Sequence, residues 1–119
     1  MKTPSPNSLF RCPVKARPTS AADFPTRLRC ALVDCFVLAP DPIAALRVAI
    51  DDLSARHFVF EKVVDIGVHQ IDASEWDEYV SLNRSAFKPF LPTQDEVVRF
   101  VEQESGIFYG PFCGSPDDG

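Results

Sequence analysis

The sequence predicts an α+β fold with the element order β-α-β-α-α-β, and three observations carry that expectation. Residues 29–38 (RCALVDCFVL) read as a strand, with Asp34 the only charge between Cys30 and Leu38 and apolar residues at both parities. Asp41-Pro42 then opens a stretch with Ile43, Leu46, Ile50 and Leu53 at spacings of three and four, the period of an amphipathic helix. Further on, Thr93 followed by Glu96 is a capping box that starts another helix.

The first predicted strand is apolar on both parities. Ala31, Val33, Cys35 and Val37 fall on one face, Cys30, Leu32, Phe36 and Leu38 on the other. A strand of this kind is covered on both sides. The helix that follows has Asp41 as N-cap and Pro42 at its first position. It is expected to run to about Ala55, with Arg56 and His57 near its negative end. Residues 58–64 (FVFEKVV) read as a second strand, joined through the helix by a right-handed parallel crossover. Gly67 suggests a bulge or bend within a longer strand reaching Ile71.

Ser74 and Asp77 resemble a capping box, so a short helix from Glu75 to about Asn83 buries Trp76, Tyr79 and Val80. Residues 84–92 form a proline-bounded loop, residues 94–104 a third helix, and Ile107-Phe108-Tyr109 a short edge strand limited by Gly110-Pro111. The whole is expected as three to four strands with helices on one sheet face. It resembles part of a ferredoxin-like pattern, a resemblance of architecture that implies no function.

The 119 residues, 45% hydrophobic and 24% charged, suit one soluble domain. Residues 1–27 hold Pro4, Pro6, Pro13, Pro18 and Pro25 with scattered Ser and Thr and are expected to be a basic flexible tail. The domain then spans 28–112, and 113–119 form an acidic frayed end. On this division residues 1–28 carry a net charge of +4 and the remainder −9. An acidic domain repels phosphate backbones and suits a basic protein partner. No nucleic acid or membrane is expected as partner: no run of 18 apolar residues occurs, and the opening residues lack the apolar centre of a secretory signal.

The thiols at Cys12, Cys30, Cys35 and Cys113 lack metal-site or redox spacing. Cys30 and Cys35 fall on opposite strand faces, where they cannot bridge. No cofactor or metal is expected, and free thiols point to a reducing, cytoplasmic setting.

No catalytic motif stands out. The leading expectation is a small protein that binds a macromolecule without catalysis, of adaptor, regulatory or toxin-neutralising type. Its contact residues are drawn from the aromatic C-terminal half: Phe87, Phe90 and Leu91 in the loop, with Trp76 and Tyr79 beside them. Core packing is the ordinary reading of the same residues. A homodimer is expected to close the second strand face. The alternative is a small-molecule pocket or small enzyme built on Asp34, His69 and Tyr109 with the Trp76 and Tyr79 aromatics, and with Cys35 or a Ser as the nucleophile. The ordinary readings are an ion pair of Asp34 with Lys62 and a strand-end histidine at 69.

Overall fold

The computed structural model describes residues 7–20, 30–83, 85–103 and 105–115, without the side chains of 83–87 and 115. Among them, six strands and three helices form a mixed α+β structure: β1 (Ser8–Pro18), β2 (Cys30–Ala39), α1 (Pro42–Ala55), β3 (Phe58–Val63), β4 (His69–Ile71), α2 (Trp76–Asn83), α3 (Gln94–Phe100), β5 (Gly106–Tyr109) and β6 (Cys113–Ser115). The strands make one antiparallel sheet in the order β3-β1-β2-β5, with β4 also on β1 and β6 also on β2.

The largest correction concerns the amino-terminal segment. Residues 8–18 are not part of a flexible tail: they are a central strand of the sheet, paired with β2 from Ser8↔Ala39 to Ala16↔Ala31. Phe10, Cys12, Val14 and Ala16 are buried on one face. Residues 113–115, expected to be frayed, pair with residues 30–32.

β1 tolerates Pro13 because the missing donor faces a break in the next strand. The Val64 amide donates to the Pro13 carbonyl at 2.9 Å, so the Pro13 nitrogen is turned to the same side, toward β3 and β4. There the ladder stops. Cys12 and Pro13 oppose the whole of residues 64–68 before pairing resumes at Arg11↔His69. Asp65 and Gly67 have positive φ of 57° and 90° in this excursion, conformations that Asp and Gly adopt most readily. The bend expected at Gly67 is therefore a wide interruption of one long edge strand.

α1 spans the residues its periodicity indicated, with the Asp41 side chain accepting from the Ala44 amide at 2.8 Å. It connects β2 to β3. Both are antiparallel to β1, which lies between them, so they run parallel to one another. α2 is preceded by a 3-10 turn at Ala73–Glu75 whose cap is Asp72, not Ser74: Asp72 accepts from the Ser74 amide and hydroxyl. α3 has the full Thr93–Glu96 capping box, and it ends at Phe100, short of the expected 104.

Helices cover both faces of the sheet, which corrects the one-sided expectation. Ala45, Ala49 and Leu53 of α1 pack on Cys12, Val14, Val33, Cys35 and Val37. Trp76 and Val80 of α2 and Val97 of α3 pack on Leu9, Phe36 and Leu38 on the other face. Phe36 is fully buried, with Trp76 edge-on at 5.1 Å and Phe108 stacked at 4.9 Å. The second face thus needs no further cover over Phe36. Toward the other end of β2, Leu32 keeps 43% of its surface exposed.

Candidate functional site: an acidic cleft beside a buried arginine

Odd-numbered side chains of β1 point to the same sheet face as α2 and α3. Arg11 is among them and only 4% exposed. Burial of a guanidinium requires paired anions, and two are present. Its Nε donates to Asp34 Oδ1 at 3.0 Å and its Nη2 lies 2.9 Å from the same oxygen. Nη2 also lies 3.0 Å from Asp65 Oδ2. Asp34 reaches Arg11 diagonally across the β1–β2 ladder, since its direct partner is Pro13. Asp65 reaches it from the excursion opposite Pro13. The expected Lys62 partner of Asp34 is replaced by Arg11, because Arg11 is on the strand next to β2 while Lys62 lies on β3, beyond β1.

Burial pushes the Asp34 carboxyl above its ordinary value, and the charge and hydrogen bond of Arg11 only partly offset this. Burial likewise pushes the Tyr79 hydroxyl up to about 12. His69 Nδ1 lies 3.0 Å from the Gly67 carbonyl. A carbonyl only accepts, so Nδ1 donates and the ring is oriented by the excursion itself.

Between this excursion, β4 and α2 lies a cleft of 510 Å³. Arg11, His69 and Tyr79 contribute to its wall. Asp65, Asp72, Glu75 and Glu78 line it with carboxylates. Ile66 and Leu82, also lining it, are 77% and 75% exposed. A groove of 370 Å³ adjoins it across Arg11 and Asp65, lined also by Leu32, Asp34 and Cys113. Among the described residues, no group of three or more His, Cys, Asp or Glu is placed to hold a metal ion, and no helix is long and apolar enough to cross a membrane.

No family model, curated protein or solved structure matches this chain.

The structure separates the residues of the expected pocket. His69 lines the acidic cleft and Asp34 the adjoining groove, with Arg11 and Asp65 common to both. Tyr109 is on the opposite face. Its hydroxyl donates to Asp52, and Arg56 lies over its ring at 4.7 Å. Asp34, His69 and Tyr109 therefore form no single pocket. Cys35 is fully buried on that opposite face as well, its thiol pushed far up by burial, so it is not a nucleophile for His69.

The expected contact residues divide in the same way. Trp76 is fully buried and donates from Nε1 to the Pro92 carbonyl at 2.8 Å. It anchors the segment before α3 and is not a contact residue. The Tyr79 ring lies tilted beside Trp76, 5.5 Å between centroids, and also lines the cleft. Leu91 packs against the second core cluster. Phe90 is 69% exposed, and the side chain of Phe87 lies outside the described residues. Arg11, Ile66, Glu75, Glu78 and Leu82 were not among the sequence candidates. Arg11 had been assigned to the tail, and the others converge only once α2 is docked beside the strand excursion.

Proposed function

We propose that the protein acts by binding a protein partner at the acidic cleft. The observation that carries this reading is the pair Ile66 and Leu82, two large aliphatic side chains left in water on a recess that buried Arg11 and half-buried Tyr79 back. Exposed apolar side chains grouped at a recess with a polar rim mark association surfaces, whereas isolated ones do not. The net charge of −5 on the chain and the four carboxylates lining the cleft support a basic partner, and the adaptor, regulatory or toxin-neutralising roles all use such a surface. The split β2–α1–β3 unit is the part of the ferredoxin-like comparison retained here, and it adds nothing to function. A homodimer stays within the reading at the Leu32 end of the second face. A cytoplasmic setting belongs to the same reading, on the lack of metal-site or redox spacing among the four cysteines.

Photo-crosslinking tests the site. Crosslinkers at position 66 and at position 82 are expected to trap the same protein in cells. One at exposed Ile43, on α1 of the other face, is expected to trap nothing in common with them. Equal capture from all three positions overturns the reading.

A further inference from the structure

We infer that the occupant of the cleft is a basic amphipathic segment: an aliphatic side chain of the partner seats between Ile66 and Leu82, and a Lys or Arg within one helical turn of it lies over Glu75 and Glu78. This rests on the reading of the cleft as a protein-docking site. Two features of the lining select this occupant.

The first is charge. One guanidinium faces four carboxylates along the cleft, and Arg11 is already engaged by Asp34 and Asp65. The lining therefore presents net negative charge that its own floor does not balance. Such a surface attracts a cationic segment and repels nucleic acid and anionic lipid.

The second is spacing. Glu75, Glu78 and Leu82 are separated by three and four residues where the 3-10 turn runs into α2, so they share one stripe. An acidic pair followed one turn later by an aliphatic residue is matched by a partner carrying its apolar and basic residues one turn apart. Ile66, across the cleft, supplies the second wall for the apolar anchor. Asp72 is held by Ser74 as a helix cap, which leaves the Glu75–Glu78 stripe as the cation-facing part.

The test uses the full 119-residue chain and two synthetic helical peptides, one of Leu and Lys and its twin with every Lys replaced by Gln. Backbone NMR shifts locate binding and calorimetry measures it. The Leu/Lys peptide is expected to shift the amides of Ile66, Glu75, Glu78 and Leu82. Its affinity is expected to fall about fivefold to tenfold in the Glu75→Gln/Glu78→Gln variant and to weaken with added salt. The charge-matched control Asp51→Asn/Glu102→Gln is expected to leave it unchanged. Equal binding of both peptides at the cleft overturns the basic occupant and keeps the docking site. No shift at the cleft with either peptide, or a control as damaging as the Glu75/Glu78 pair, overturns the occupant, and the crosslinking at positions 66 and 82 then decides the docking site separately.

Discussion

Arg11 and Asp34 meet at 2.9 Å on the sheet face that carries α2 and α3, joining β1 to β2 by a charge pair beneath the candidate site. The pair is unequal in what each partner leaves behind. Removing Arg11 takes a charge partner from both Asp34 and Asp65, while removing Asp34 leaves the Arg11–Asp65 pair in place. Arg11→Met is therefore expected to cost about 3–5 kcal/mol of folding stability, the range for a broken buried pair. Asp34→Asn, which keeps a hydrogen-bonding side chain, is expected to cost roughly 1 kcal/mol. Urea unfolding of the two variants checks the order, and a costlier Asp34→Asn contradicts it.

The same pair has a pH signature. Burial holds the Asp34 carboxyl above its ordinary value, with Arg11 and His69 pulling it down and Asp65 adding to the rise. The folded protein thus binds this proton more tightly than the unfolded chain. Stability from this group is present at low pH and is lost as pH rises through the folded value. Relative to Asp34→Asn, the native protein is expected to gain stability as pH falls from neutrality toward the ordinary carboxylate range near about 4. Urea titrations of both proteins across that window measure the difference. A difference that shrinks on acidification contradicts the assignment.

Residues 8–18 are required for folding. β1 lies between β2 and β3, and Cys12, Val14 and Ala16 are fully buried in the first core cluster. A chain beginning at residue 28 would expose the inner edges of both neighbours. It is expected to lose cooperative unfolding and near-ultraviolet circular dichroism. A truncated protein that unfolds within about 1 kcal/mol of full length, the scale for a loosely held terminus, would contradict the central position of β1.

His57 stops α1 in a left-handed conformation, with φ of 69°, while its amide bonds to the Ser54 carbonyl at 3.0 Å and its carbonyl accepts from the Thr19 amide at 2.8 Å. Glycine holds this conformation without the Cβ penalty. His57→Gly keeps both backbone bonds and is expected to raise stability by roughly 1 kcal/mol. Thermal unfolding should show a higher midpoint, and a lower one would mean that the imidazole has packing worth more than the strain.

α1 and the start of α3 are legible in the sequence because their signals are local. Asp41-Pro42, the three-and-four spacing of Ile43 to Leu53, and the Thr93–Glu96 box act within one or two turns. The two apolar parities of β2 correctly demanded cover on both faces. β1 was legible in principle: Phe10, Cys12, Val14 and Ala16 alternate with Arg11, Pro13, Lys15 and Arg17, a period of two that the prolines and basic residues obscure. What makes that second set acceptable in a central strand lies elsewhere in the chain. Asp34 and Asp65 match Arg11, Glu61 matches Lys15 and Arg17, and the strand excursion at residues 64–68 accommodates Pro13. The sequence alone therefore determined the helices, the α+β class and the need to cover both faces of β2, since these follow from patterns within a few turns. Tertiary structure decided the place of β1, the faces taken by the helices and the acidic cleft, because each depends on strand pairings and charge contacts between residues far apart in the chain.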